Sequence, residues 1–174
     1  MNPWIQILQI VIPSLITAAV IYLVIKEFFK SEQKRQDAEI KKHLSNQITP
    51  MKIQAYERMV IFLERLNPTS LVLRVNKHNM TNKQLHQALI QTIKQEYEHN
   101  LSQQLFISSG AWELIKTAKE ETIKLINVAY SKVIPDGSSN ELSLTIINAV
   151  NSIEKKLPHE IALEYLKKEA SQFL

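Results

Sequence analysis

Histidine, glutamate and aspartate are the side chains in this 174-residue sequence that could bind a metal or move a proton, and their spacing is sparse. Helical bundles hold di-iron sites through Glu-x-x-His pairs on facing helices. Glu96-Tyr97-Glu98-His99 supplies one such pair, but the other histidines, His43, His78, His86 and His159, follow Ile40, Val75, Lys83 and Lys156 at the required spacing. The constellation is therefore incomplete. Nucleophilic catalysis lacks its parts as well: there is no nucleophile-elbow pattern, and the only aspartates, Asp37 and Asp136, stand in a charged stretch and in a turn. With no cysteine, thiol catalysis, zinc-thiolate sites and a disulfide framework are excluded. Two glycines leave no Gly-rich phosphate loop. These residues predict no enzyme, no catalytic or metal-binding residue and no cofactor.

Charge points to a location rather than to a reaction. The 21 Lys and Arg against 17 Asp and Glu give a pI near 9.2, yet the excess is spread along the chain. No zinc finger, aromatic RNP signature or basic recognition helix is present, so nucleic acid is not an expected partner.

The sharpest local feature is IQILQIVIPSLITAAVIYLVI, the 21 residues from Ile5 to Ile25, which carry no formal charge. At about 1.5 Å per residue a helix of this length spans the hydrocarbon core. Trp4, Tyr22, Phe28 and Phe29 suit the aromatic belts at its two ends. A cleaved signal peptide would need positive charge before the run, a shorter apolar core and a small-x-small site, and none is present. Lys26, Lys30, Lys34, Arg35, Lys41 and Lys42 follow the run and no Lys or Arg precedes it. The positive-inside rule then predicts an outside N-terminus and a cytoplasmic C-terminal domain. Lys26, Lys30, Lys34 and Arg35 are the expected contacts with lipid headgroups, worth about 1 kcal/mol each near an anionic surface.

Within the predicted span Gln6, Gln9, Pro13 and Thr17 share one helical face, with Ser14 and Ala18 as a small-xxx-small pair beside it. Amides facing lipid are costly and small residues let backbones approach, so this stripe is a candidate contact with another membrane protein or a second copy.

The remaining sequence supplies the elements. KEFFKSEQKRQDAEIKKHLSNQ has helix formers without Gly or Pro and predicts a solvated stalk over 26–48, with Ile40, Leu44 and Ile48 seating its end. Thr49-Pro50 reads as a new helix start, with a stripe of Met51, Ala55, Tyr56, Met59, Val60, Leu63 and Leu66 and with Ile61 on the opposite side. PTSLVLRVNKHN lacks a partner strand and predicts a short helix or extended connector. Thr81 or Asn82 opens a helix to about Asn100, and Ser108 or Ser109 one with Trp112, Ile115, Ala118, Thr122, Ile126 and Ala129 inward. Ser138 and Glu141 match a capping box for a stripe from Leu142 to Ile153 and Leu157. Pro158 opens the last helix, with Ala162, Leu163, Leu166, Ala170 and Phe173 inward.

Between the third and fourth helices of this reading, Glu98, His99, Asn100, Ser102, Gln103 and Gln104 lead directly into Leu105, Phe106 and Ile107. Such a segment either tucks into the bundle or presents Phe106 outward. Ile61, His99, Gln103, Gln104 and Phe106 are the candidate partner-binding residues.

The span, the charged stalk, PMKIQAYERMVIFLERLNPTSLVLRV and EYEHNLSQQLFISSGAWELIKTAKEE together resemble a family of small single-pass membrane proteins of Bacteroidetes bacteria with no assigned function. That resemblance implies a bacterial inner-membrane location and brings no catalytic residue. A looser architectural likeness, to the b-type stator subunits of rotary ATP synthases, ends where Pro50, Pro68, Pro135 and Pro158 interrupt the chain.

The expected fold is all-α: a transmembrane anchor over 1–25, a charged stalk helix over 26–48 and a compact cytoplasmic bundle of about five helices over 49–174. The expected function is that of a non-catalytic interaction or scaffold subunit of an inner-membrane complex, with the lipid bilayer and another membrane protein or a second copy as partners. The competing expectation is a membrane-tethered enzyme or ligand sensor with a pocket in the bundle.

Overall fold

The computed structural model describes the backbone of residues 3–172 and their side chains, except those of 3–11, 13, 14 and 44–47. The elements are α1 (Pro3–Arg65), α2 (Pro68–Val75), α3 (Asn82–His99), a 3₁₀ turn (Leu101–Leu105), α4 (Ser109–Tyr130), α5 (Ser139–Asn151) and α6 (Pro158–Ala170). A lone antiparallel bridge joins Thr81 to Ser138. The all-α expectation holds, with six α-helices among the described residues. The chain divides into two compact units, Met1–Ile48 and Thr49–Leu174.

The first unit is the N-terminal part of α1. From Leu15 to His43 its side chains are exposed, apart from half-buried Glu32. Arg35 lies between Glu32 and Glu39, 3.7 Å from each carboxylate, and Phe28 meets Phe29 edge to face at 6.2 Å. Ile40 and Ile48, expected to seat the stalk end, are exposed, and the side chain of Leu44 lies outside those described. Among the described residues no helix is long and apolar enough to cross a membrane. Much of the span expected over 5–25 falls outside the described side chains.

The expected break at Thr49-Pro50 does not occur, since α1 runs through it to Arg65. Proline removes the bond that its own N–H would make to the carbonyl four residues back and crowds that carbonyl. The turns that follow hold the helix nevertheless: Ala55, Tyr56, Met59, Phe62, Leu63 and Leu66 are all buried. Met51, expected to lead this stripe, is 55% exposed.

In the second unit each helix start has a local cause. Asn67 caps α2, its Oδ1 accepting from the amides of Thr69 (3.1 Å) and Ser70 (3.2 Å), with Pro68 at the first position where no N–H is required. Thr81 and Gln84 form a reciprocal capping box on α3. Ser108 caps α4 by accepting from Ala111 N–H at 3.1 Å. The box expected at Ser138 and Glu141 is absent. Ser138 accepts from Asn140 N–H instead, and Glu141 accepts from the amide of Asn82. α5 stops at Asn151, so Ile153 and Leu157 lie beyond it, Leu157 as the N-cap of α6. Phe173 lies outside the described residues.

The inward stripes of these helices meet in one core that includes Met59, Phe62, Leu63, Leu71, Leu85, Leu89, Ile93, Ile115, Ile126, Leu142 and Ile146, all fully buried. Burial of such side chains contributes about 1.5–3 kcal/mol each, which offsets the entropy of ordering the chain.

Candidate functional site

The expected partner segment folds back on itself. Asn100 is buried, its side-chain amide donating to Glu96 O at 2.8 Å, and it turns the chain from α3 into the 3₁₀ turn. Ile107 is buried and Phe106 is half-buried against the core, so Phe106 is not the residue presented outward. Leu105 is, at 79% exposure, with Leu101 on the same turn. With three residues per turn, successive side chains of a 3₁₀ segment point about 120° apart, so Leu105 at its end need not face the way Phe106 and Ile107 do, which a run of three apolar letters does not reveal. His99 and Gln104 are exposed, Gln103 is half-buried, and Ile61 is exposed on the outer side of α1.

A more continuous apolar surface lies elsewhere in the same unit. Leu125 and Val128 of α4, Ala149 of α5, and Ile153, Leu157 and Pro158 of the α5–α6 connection line a shallow groove of about 290 Å³. Glu121 and Lys124 edge it, paired with each other at 3.6 Å. Val128 and Ile153 stand half open to solvent in it. The sequence reading assigned Ile153 and Leu157 to a buried stripe. The early end of α5 at Asn151 leaves Ile153 exposed and Leu157 half-buried as the N-cap of α6, and helix ends are the least legible feature of a periodic pattern.

Polar groups in the interior serve the fold. Asn82 Nδ2 donates to Ile134 O (2.8 Å) and to Glu141 Oε2 (3.2 Å), while its Oδ1 accepts from Leu142 N–H (3.2 Å) and its own N–H donates to Gly137 O (2.9 Å). The start of α3 is thus clasped to the turn between α4 and α5. A Cβ at Gly137 would stand 2.8 Å from Glu141 Oε2, 2.9 Å from Asn82 Nδ2 and 3.1 Å from Ile134 O, so glycine is needed for close approach.

His159, read from sequence only as lacking a glutamate partner, is buried at the start of α6. With Asn67 Oδ1 committed to α2, Asn67 Nδ2 donates to His159 Nε2 at 3.4 Å, which leaves the ring proton on Nδ1. Burial pushes the imidazole below its usual range, partly opposed by Glu160 and Glu64. The Tyr56 hydroxyl is bonded to the Glu169 carboxylate, and burial together with that carboxylate pushes the phenol up to about 12.

The aromatic rings are likewise structural. Tyr97 stacks on Trp112 with centroids 5.6 Å apart, leans on Phe62 at 6.1 Å and carries Lys119 Nζ 4.2 Å above its ring. His86 stacks on Tyr130 at 4.2 Å and meets Asn127 Oδ1 at 2.7 Å.

Glu96 of the Glu-x-x-His pair is engaged by Arg65 at 3.1 Å. Among the described residues no group of three or more His, Asp or Glu side chains is arranged to hold a metal ion. Of the expected membrane-helix contacts, Thr17 and Ala18 are exposed, and the side chains of Gln6, Gln9, Pro13 and Ser14 lie outside those described. Lys26, Lys30, Lys34 and Arg35 are all exposed, and Arg35 alone of the four has carboxylates beside it, Glu32 and Glu39 at 3.7 Å.

These features define an all-helical protein with a long N-terminal helix and a helical bundle that carries one open apolar groove among those described. The chain belongs to a family of unknown function, DUF7935, which it matches over residues 2–173. No curated protein and no solved structure matches it.

Proposed function

We propose that this is a single-pass membrane protein, anchored by residues 5–25, whose helical bundle binds another protein as a non-catalytic scaffold or accessory subunit of a bacterial inner-membrane complex. The observation that carries the anchor is the exposure of Val20, Ile21, Tyr22, Leu23, Val24 and Ile25, at 49–65% each. Six consecutive residues at 100° per step go fully around a helix. A helix apolar on every side needs an apolar environment on every side, and hydrocarbon is the environment that also suits the 21 uncharged residues of the run. The charges that follow orient the N-terminus to the periplasm and the bundle to the cytoplasm.

The binding role rests on the groove between α4, α5 and α6, where apolar side chains are left open beside a completed core. Purification of the full-length protein in gentle detergent from its own membranes tests it, with mass spectrometry of what co-purifies in fixed ratio. A stoichiometric partner, or a second copy, that is lost in V128E and I153E variants with unchanged circular dichroism is the expected result. A wild-type protein recovered alone and monomeric rejects the scaffold reading.

A further inference from the structure

Residues 26–35 carry four basic side chains, and the structure separates them into two kinds. Lys26, Lys30 and Lys34 recur at steps of four, so successive members lie only about 40° apart around the helix, one turn above another. All three are exposed, and among the described residues none has a carboxylate within ion-pair distance. Glu27 borders this strip and Asp37 lies one turn beyond it. Arg35 faces a different side, where Glu32 and Glu39 flank it at 3.7 Å. That triad carries one net negative charge, so it offers an anion nothing.

We propose that Lys26, Lys30 and Lys34 form a binding strip for the phosphate headgroups of anionic phospholipids, in which Arg35 takes no part. The proposal rests on the membrane-anchor reading, and it follows from charge complementarity and from continuity: Lys26 comes directly after the apolar run. The strip rises about 12 Å from first lysine to last, close to the screening length of about 8–10 Å, so all three ammonium groups sense an anionic surface and Lys34 senses it least. Three flexible point charges in a row suit mobile phosphodiesters in a leaflet better than a single bidentate oxyanion, for which a planar guanidinium is the stronger partner.

The test is native mass spectrometry of the full-length protein in detergent, titrated with phosphatidylglycerol and, separately, with phosphatidylcholine. The wild type is expected to retain the anionic lipid about a hundredfold more strongly, with roughly fivefold lost for each lysine removed. K26Q/K30Q/K34Q abolishes the preference. R35Q and the charge-matched control K77Q/K132Q/K155Q keep it. Equal retention of both lipids by the wild type, a loss in either control as large as in the triple variant, or competition by millimolar inorganic phosphate overturns the strip. Alkaline carbonate extraction of native membranes separates this from failure of the anchor: a chain that is extracted rejects the anchor, whereas one that stays and shows no lipid preference rejects only the strip.

Discussion

Asn82 has no exposed surface, and both ends of its side-chain amide are engaged with groups more than 50 positions away in the chain. Truncation to alanine would leave the buried Leu142 amide without its partner and take from the Ile134 carbonyl one of its two donors, the other being Gly137 N–H at 3.0 Å, a loss of about 1–3 kcal/mol. Urea unfolding of N82A against wild type measures it. Gly137→Ala places a methyl group against backbone as well as side-chain atoms and is expected to cost about 1–3 kcal/mol in the same assay. His159 adds a pH dependence whose sign is fixed. Its pKa is lower folded than unfolded, so the unfolded chain takes up a proton first as pH falls. Stability is complete above about pH 6.5 and declines as pH drops below it, and H159Q should remove that component of the urea midpoint. Tyr56 acts at the other extreme: its raised pKa makes stability fall as pH rises from about 10 toward 12.

At the scale of elements, the 3₁₀ turn and the proline in α1 are the instructive cases. Leu105→Ser removes an exposed side chain and is expected to change stability by less than about 0.5 kcal/mol. Ile107→Ala, two residues on and buried, is expected to cost about 2–4 kcal/mol, measured by thermal or urea unfolding. The inward stripe of α4, and the starts of α3 and α4 to within one residue, were legible because apolar spacing and capping chemistry are both local. What was not legible depends on tertiary context. Proline as a helix breaker lost at Pro50, where the buried turns from Ala55 onward hold α1 together. The pairing of Ser138 with Glu141 lost to Asn82, a competitor that sequence adjacency does not show. The groove was missed for the same reason, since it follows from where α5 ends. The glutamates at three and four residues' distance from Arg35 are a local signal of the two ion pairs it makes.

At the scale of the whole molecule, the proposed anchor and orientation make a prediction that the absence of cysteine renders simple to read. With no native thiol to block, N2C and Q172C in the full-length chain can be labelled in intact cells by a membrane-impermeant maleimide. N2C is expected to react once the outer membrane is permeabilised, and Q172C only after lysis. Labelling of both before lysis would reverse the assignment of the bundle to the cytoplasm. The clasp also bears on how the bundle assembles. Helices distant in the chain pack together, α4 on α6 and α5 on both α2 and α3, and within that packing Asn82 reaches Glu141 across 59 positions, a closure that is slow to find and gives nothing until both ends are built. It should therefore be among the last contacts made and the first released. Stopped-flow measurements on N82A would then show a faster unfolding limb and a nearly unchanged folding limb, making this one amide a determinant of the lifetime of the native bundle rather than of the speed with which it forms.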